Sequence, residues 1–255
     1  MVSICIAHKD RPRFLEQALE SVTTQSYQQI EVVIVDDGSE DPEALSLLSS
    51  LESSAWRFPL TVIRQNGLLP SGARNVAAFH ARGRYLFFLD DDNLMKPAAI
   101  ERLVHAALLT NADALTCALD FFASAFMPSE FTKPHSTWVP TGPALELGGL
   151  INCYGDTFSL FDRESFFALG GFREEVGGLH EDWEILARTV LSGKRLEVVP
   201  EALAWYRYRP EERRDPQFFF RARRLSLCLL YTSRTAGIPK TIQYSSVISK
   251  GKRLT

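Results

Sequence analysis

The stretch that decides the fold is Tyr85-Leu86-Phe87-Phe88-Leu89-Asp90-Asp91-Asp92. Its apolar and aromatic half lacks polar alternation, which predicts a strand buried on both faces, as in a parallel sheet covered by helices. Three adjacent carboxylates at the end of such a strand lose hydration and repel one another unless a positive group lies beside them. A divalent cation with oxygen ligands meets that need. For the triplet alone, an acidic turn that caps the next helix is the alternative.

The sequence around this stretch alternates short apolar runs with helix-like segments. We expect strands at residues 2–7, 30–35, 60–63, 85–89 and 113–122, and helices near 12–22, 42–51, 73–81 and 97–109. This order predicts an α/β fold whose central sheet is mostly parallel and flanked by helices. Ligands bind such sheets beyond the carboxyl ends of the strands. Polar clusters follow three of the strands, at residues 8–11, 36–39 and 90–92, so we predict one common site.

The pattern changes after residue 122. Residues 127–149 are rich in Pro, Ser, Thr and Gly, which indicates a long loop of the kind that covers substrates. Beyond it we expect a strand region at 151–161, helices at 163–169 and 181–191, short strands at 198–199 and 202–208, and an apolar helix at 217–231.

Composition is that of a soluble globular protein, with 45% hydrophobic and 23% charged residues in 255. The four cysteines are far apart and form no CxxC pair, so we expect buried free thiols in a reducing compartment. Neither a signal peptide nor an apolar run of transmembrane length is visible, and we therefore predict a cytoplasmic protein. From residue 207 onward, 12 lysines and arginines face three acids. That segment suggests peripheral contact with an anionic partner, such as a phospholipid surface or a lipid-linked diphosphate; a solvated tail is the alternative.

Four signatures then occur in one order along residues 1–210. They are Val2-Ser-Ile-Cys-Ile-Ala-His-Lys-Asp-Arg-Pro12, Val35-Asp-Asp-Gly-Ser-Glu-Asp41, Ser71-Gly-Ala-Arg-Asn75 with Gly83-Arg-Tyr-Leu-Phe-Phe-Leu-Asp-Asp-Asp92, and Gly170-Gly-Phe172 with Glu181-Asp-Trp183. Together they resemble the family 2 glycosyltransferases, which have the GT-A fold. The resemblance implies an enzyme that moves a sugar from a nucleotide diphosphate, with a UDP-sugar favoured, to an acceptor hydroxyl, normally with inversion. Bacterial-type polysaccharide or glycoconjugate synthesis is the expected setting, with a glycan or lipid-linked acceptor and no nucleic acid partner.

The resemblance also implies a metal site in the acidic triplet. Asp90 and Asp92 are similar to the family's DxD pair, which binds Mn²⁺ or Mg²⁺ and so stabilises the departing diphosphate. We expect Asp92 to be the direct ligand, while Asp90 either assists it or contacts the ribose. Asp91 is a weaker donor-binding candidate, because its side chain should point away if the strand continues. The family often has an acid where this chain has Asn93.

Further donor-binding candidates come from three loops. Asp37 matches the residue that hydrogen-bonds the nucleotide base in relatives, and Arg74 matches an arginine that donates to the base or the diphosphate. In the first loop Ala7, Lys9 and Arg11 are candidates, although this chain lacks the tyrosine usual there. An Asx turn for Asp37 and a surface position for Arg74 are the alternatives.

Asp182 is the predicted catalytic base, because relatives carry a Glu-Asp pair here whose aspartate deprotonates the acceptor hydroxyl. Glu181, Trp183 and Asp156 are the acceptor-binding candidates; helix capping, loop bracing and a turn are alternatives for the acids. The histidine that many relatives place after a Tyr-Arg pair is absent from the segment at residues 206–209. We also hypothesise that an arginine of that segment contacts the diphosphate, although the resemblance does not imply this contact.

We therefore predict three parts. Residues 1–122 form a nucleotide-sugar-binding subdomain, residues 123–212 an acceptor-binding and catalytic lobe, and residues 213–255 a basic helix and tail. The alternative function is a catalytically degenerate module that binds a nucleotide sugar or glycan. A nucleotidylyltransferase is disfavoured, because residues 7–12 contain no glycine. A retaining transferase stays open, since stereochemistry depends on where Asp182 stands relative to the anomeric carbon.

Overall fold

The structure is a computed structural model that describes residues 1–129, 132–174 and 180–209. The predicted helix at 217–231 and the basic segment at 213–255 lie outside the described residues. So do Cys228 and the glycine-rich approach to Glu181 at residues 177–178.

The described residues contain nine strands and seven helices. The strands are β1 (Val2–His8), β2 (Ile30–Asp37), β3 (Leu60–Gln65), β4 (Tyr85–Asp90), β5 (Leu94–Met95), β6 (Ala114–Phe122), β7 (Ser136–Trp138), β8 (Ser159–Asp162) and β9 (Leu196–Arg207). The helices are α1 (Pro12–Thr23), α2 (Pro42–Ser53), α3 (Leu69–His80), α4 (Ala99–Thr110), α5 (Leu145–Gly148), α6 (Arg163–Ala168) and α7 (Glu181–Leu191).

All nine strands belong to one mixed sheet of order β3-β2-β1-β4-β8-β6-β9-β5, with β7 paired to β6. The neighbours β3, β2, β1 and β4 run parallel, as their apolar runs predict, whereas β8 is antiparallel to both β4 and β6. The α/β fold class is confirmed. Because β8 lies between β4 and β6, this sheet joins strands from both sides of the predicted boundary at residue 122.

Both faces of β4 are buried. Phe87 and Leu89 belong to the core beneath α1 and α4, while Leu86 and Phe88 belong to the core on the side of α3, α6 and α7. The Phe88 ring lies 4.8–6.0 Å from three other phenylalanine rings, those of Phe161, Phe166 and Phe172. Continuous apolar sequence was therefore the right signal for a strand covered on two sides.

Several boundaries differ from the sequence-based prediction. The two short strands expected near residue 200 are one strand, β9, in which Val199 and Ala202 pair with the consecutive residues Cys117 and Ala118. The two residues between them, Pro200 and Glu201, are bulged out, because proline has no N–H for the ladder. Helix α3 begins earlier than predicted, so that Ser71 lies inside it.

In the segment at 127–149 the structure adds the short elements β7 and α5, and the strand region expected at 151–161 is reduced to β8. Cys5, Cys117 and Cys153 are buried free thiols, as predicted. Within the described part of the chain, no helix is both long enough and apolar enough to cross a membrane.

Candidate active site

The carboxyl ends of β1, β2 and β4 lie side by side. In the parallel register Ala7 pairs with both Val35 and Asp90, and His8 pairs with Asp36. The polar residues that follow these strands therefore meet at one edge of the sheet, as predicted from their positions after buried strands. Helix α7 contributes further acids to the same edge through the contacts described next.

Arg74 links the end of β4 to the start of α7. Its guanidinium donates to Asp90 and to Glu181, each at 2.6 Å. Burial by itself lowers the pKa of Arg74, but the charges of Asp90 and Glu181 outweigh that effect and raise it. Both carboxylates are thus held by one buried cation (7% exposed side chain), a contact that fits the bracing alternative for Glu181.

Asn75, the neighbour of Arg74, fixes the turn that precedes α7 in the chain. Its side chain donates to the carbonyl of Phe172 at 2.8 Å and accepts from the Phe172 amide at 2.9 Å. Gly171 has φ +70°, and a Cβ there would lie 2.6 Å from Asn75 Oδ1, so the turn needs glycine on both counts. The Phe172 ring then lies under the Arg74 guanidinium at 5.6 Å, which orients the bridge to Asp90.

Asp182 lies in the first turn of α7 and is half-buried. Burial, followed by the charge of Glu181, raises its pKa to about 7. One of its oxygens accepts from the Asn152 side chain at 3.3 Å, and Asn152 also donates to the carbonyl of Gly155 at 2.7 Å. A carboxylate whose pKa lies near neutrality is suited to accept a proton during a reaction.

The turn at residues 152–157 presents Asp156 to this group of acids. Burial and the charge of Asp182 raise the pKa of Asp156 well above its usual value. Gly155 has φ +145°, and a Cβ there would lie 2.4 Å from Thr116, so the turn rests directly against β6. Tyr206 on β9 faces the same acids: the charge of Asp156, together with burial, raises the pKa of its hydroxyl. The hydroxyl therefore stays protonated and able to donate.

The three acids of the triplet have different surroundings. Asp91 points away from the cleft, as predicted: it is fully buried, and His8 Nδ1 lies 2.7 Å from its Oδ2. Arg11 bridges Asp91 and Asp92. Asp92 is partly exposed and also contacts Arg209, and burial raises its pKa to about 6.

The two oxygens of Asp37 accept from the backbone amides of Leu68 and Leu69, at 2.7 and 2.8 Å. These bonds hold the start of α3 against the end of β2, which explains why that helix begins early. Contact between Asp37 and a nucleotide base stays a prediction that would use its remaining lone pairs. Lys9 is exposed and Ala7 is half-buried beside Asp90.

The prediction that Trp183 stacks against an acceptor is wrong. Its side chain is only 2% exposed and belongs to the core around Phe88, and its indole N–H donates to the carbonyl of Gly148 at 2.8 Å. The helical period places Trp183 on the inner face of α7, next to the half-buried Asp182. The prediction assumed that Asp182 and Trp183, as neighbours in sequence, point in the same direction.

The sequence reasoning missed Asn152 and Tyr206, and it predicted His8 only as a member of the polar cluster at residues 8–11. His8 is the partner of Asp91, Asn152 holds Asp182, and Tyr206 faces the acids from β9. A signal existed for His8 and Tyr206, since each lies at the carboxyl end of a strand. Asn152 precedes a turn, and nothing in the surrounding sequence indicated that its partner is Asp182.

The carboxylates at the end of β4 fit a hard divalent cation that takes some of its ligands from a bound phosphate. Within residues 1–129, 132–174 and 180–209, no three His, Cys, Asp or Glu side chains are grouped to hold a metal ion. Asp90 and Asp92 nonetheless offer two partly exposed carboxylates, 23% and 13% exposed, at the same strand end. Mg²⁺ is usually bound by one or two carboxylates together with substrate phosphates and water. The residues therefore suit a cation that arrives with a phosphate ligand.

Comparison with solved structures shows the same fold in glycosyltransferases. Staphylococcus aureus TarS (residues 1–349) in complex with UDP-GlcNAc superposes with a TM-score of 0.66 and 18% identity, over 92% of this chain and 68% of that one. The mannosyltransferase PcManGT from Pyrobaculum calidifontis, in complex with GDP-Man and Mn²⁺, superposes with a TM-score of 0.63 and 17% identity, over 98% of this chain and 79% of that one.

Two of the sequence relatives have names from bacterial polysaccharide synthesis. The O-antigen biosynthesis protein RfbC from Myxococcus xanthus is 27% identical over 245 residues, which cover 81% of this chain and 19% of that protein. The succinoglycan biosynthesis protein ExoO from Rhizobium meliloti is 27% identical over 211 residues, which cover 79% of this chain and 59% of that protein. This chain therefore spans only part of the length of both relatives.

The family profile described as "Glycosyl transferase family 2" matches residues 3–169, which are more than half of the chain. That range includes the second and third of the quoted signatures and all of the first except Val2, and it ends one residue before the fourth. The resemblance inferred from those signatures is thus confirmed. The chain belongs to glycosyl transferase family 2.

Proposed function

We propose that this chain transfers a sugar from a nucleoside diphosphate donor to an acceptor hydroxyl, with a divalent cation and with inversion. The observation that carries the proposal is the pairing of two kinds of carboxylate in one cleft. Asp90 and Asp92 end a strand where a donor diphosphate and its cation fit, while Asp182 has a pKa of about 7 and faces the same space. Family membership supports the reaction class.

Asp182 is the proposed base. Its unprotonated form accepts the proton of the acceptor hydroxyl as that oxygen attacks the anomeric carbon. Asn152 donates to one carboxylate oxygen of Asp182 and so helps to hold the side chain in place. Asp156 and the Tyr206 hydroxyl lie beside it, and we assign them to hydrogen bonds with the acceptor sugar. An attack from the side opposite to the leaving diphosphate inverts the anomeric centre.

The leaving group is the second requirement. Asp90 and Asp92 would hold Mn²⁺ or Mg²⁺, which when bound neutralises charge that develops on the departing diphosphate. Arg74 holds Asp90 in place, and it acts on the donor only through that carboxylate. Asp37 is assigned to the nucleotide base, next to the loop that carries Lys9 and Arg11.

A UDP-sugar is the favoured donor. TarS is bound to UDP-GlcNAc and PcManGT to GDP-Man, so proteins with this fold include binders of uridine and of guanosine diphosphate sugars. The names of RfbC and ExoO support a glycan acceptor in bacterial polysaccharide synthesis, with a lipid-linked form included. Because those proteins are longer than this chain, the acceptor of the whole protein is part of the proposal.

Donor hydrolysis and transfer should be screened across UDP-, GDP- and dTDP-sugars, each with Mn²⁺, Mg²⁺ or EDTA. We expect turnover of one nucleotide class, abolished by EDTA. The variant Asp92→Ala should lose metal-dependent nucleotide binding, and the same substitution at Asp162, which caps α6 away from the cleft, should retain it. Unchanged binding by Asp92→Ala with Mn²⁺ present would refute the metal assignment. Donor binding without turnover under every condition would identify a binding module instead of an enzyme.

A further inference from the structure

Protein cations cover Asp92, the proposed metal ligand. Arg11 donates to Asp92 Oδ2 at 2.9 Å, and Arg209 contacts the same oxygen. Arg11 also pairs with the buried Asp91, so its position is fixed by two acids. Arg209 comes from the end of β9, 117 residues away in sequence, at the segment where many relatives have a histidine.

A second arginine of that segment is an anchor. Arg207 donates to the backbone carbonyl of Asp92 at 2.9 Å, to the Gln17 side chain at 2.6 Å, and to the carbonyl of Ser124. Burial lowers its pKa to about 10. With its guanidinium committed to three acceptors, Arg207 holds the chain at the mouth of the cleft and cannot follow a ligand.

The Phe14 ring positions both arginines. The guanidinium carbon of Arg207 lies 4.6 Å from the ring centroid and that of Arg209 lies 5.2 Å from it. An aromatic ring attracts a guanidinium without fixing its direction as a carboxylate does. Arg209 can therefore rotate on this ring, with 16% of its side chain exposed, and keep one favourable contact while it changes its anionic partner.

Three arginines are grouped around Asp92. Arg11 and Arg209 contact its carboxylate, and Arg207 contacts its backbone carbonyl. A diphosphate carries at least two negative charges, and guanidinium groups bind its oxygens in bidentate fashion. These arginines lie directly beside the two carboxylates that would hold the cation.

We propose that Arg209 is an exchange residue: it moves from Asp92 to the donor diphosphate when the donor binds, which removes one of the two guanidinium groups from the Asp92 oxygen and favours binding of the divalent cation there. This inference rests on the proposed function. It explains why a metal ligand is covered by arginine, and it makes nucleotide and cation bind cooperatively. Coupling of two ligands is reciprocal, so each should strengthen the other by about 5–150-fold.

Binding is measured by calorimetry for Mn²⁺ alone, for UDP, GDP and dTDP with and without Mn²⁺, and for the monophosphate of whichever binds best. The variant Arg209→Gln should bind Mn²⁺ alone more tightly than wild type, because one of the two guanidinium groups that contact Asp92 Oδ2 is removed. It should bind the diphosphate about tenfold or more weakly, with little change for the monophosphate, and the coupling factor should shrink. Arg209→Lys should fall between the two proteins. Arg13→Gln is the matched control, since Arg13 is an exposed arginine at the same cleft edge that lies over Phe126, and it should behave as wild type.

In Arg209→Gln the affinity for Mn²⁺ should rise while the affinity for the diphosphate falls. A purely structural role of Arg209 would not change the two affinities in opposite directions. If Arg209→Gln weakens Mn²⁺ and diphosphate together, or changes neither, the exchange is refuted while the proposed function stands. If wild-type protein binds none of the three diphosphates, the proposed function fails and the exchange with it.

Discussion

The substitution Asp182→Asn tests the catalytic assignment, because it removes the proton acceptor and keeps the size of the side chain. In the structure Asp182 is half-buried, its pKa is raised to about 7, and Asn152 holds one of its oxygens at 3.3 Å. Loss of a general base slows a reaction by roughly 10²–10⁴-fold. That range corresponds to about 3–5 kcal/mol in the activation free energy.

Transfer is measured as release of the nucleoside diphosphate at saturating donor, and donor affinity is measured separately by calorimetry. We expect kcat to fall within the stated range while the donor Kd stays within about twofold, because the proposal assigns Asp182 to the acceptor and not to the diphosphate. The wild-type rate should fall about tenfold per pH unit below pH 7, as Asp182 becomes protonated, and Asp182→Asn should lose this dependence. Asp162→Asn is the matched control, since Asp162 is an acid at the start of another helix.

Stability supplies an independent readout with a defined sign. The pKa of Asp182 is raised from 3.8 to about 7, so the folded state favours the protonated form. The resulting stabilisation is present below about pH 4 and is lost as the pH rises through 7. Asp182→Asn should therefore raise Tm at about pH 8 and leave it unchanged near pH 4. A variant with near-wild-type transfer, or a wild-type rate that is flat between about pH 5.5 and 8, would refute the assignment of Asp182 as base.

Three further substitutions test the supports of the site. Arg74→Gln should lower the free energy of unfolding by roughly 3–5 kcal/mol, because Asp90 and Glu181 lose their shared buried cation; a loss below about 1 kcal/mol in urea denaturation would contradict the bridge. Phe88→Ala should lower it by about 3–5 kcal/mol through the cavity left among three phenylalanine rings, with donor Kd unchanged in the folded protein. Gly155→Ala should reduce transfer by displacing Asp156, since the added Cβ would lie 2.4 Å from Thr116. Gly67→Ala controls for backbone strain, because Gly67 has φ +72° and open space around it. Equal effects of the two substitutions on transfer would argue against a role of the turn in positioning Asp156.

The sequence predicted the parallel half of the sheet because that half is specified locally. Continuous apolar runs at β1, β2 and β4 require burial on both faces, and helix-like segments between them supply the cover. Once those strands are parallel, their carboxyl ends must share an edge, so the acids that follow them must meet. Helix α7 was likewise predicted with its observed bounds, because its apolar period is strong.

The other half of the sheet, where parallel and antiparallel pairs are mixed, could not be predicted in the same way. Strand β8 has only four residues, and its place between β4 and β6 depends on pairing with residues about 45 and 75 positions earlier. The continuity of β9 through Pro200 depends on its long partner β6. Neither property is encoded within a window of a few residues.

The sequence by itself determined which chemical groups gather at the strand ends: the acidic triplet, the Glu-Asp pair of α7 and the arginines that can neutralise them. Only the tertiary structure decided how those charges pair. Arg74 meets Glu181 across 107 residues, and Arg209 meets Asp92 across 117. The structure also placed Trp183 in the core and left Asp182 only half-buried. The physical reason is that local pattern fixes where a side chain leaves the backbone, whereas its partner is set by elements that pack together only when the whole sheet has formed.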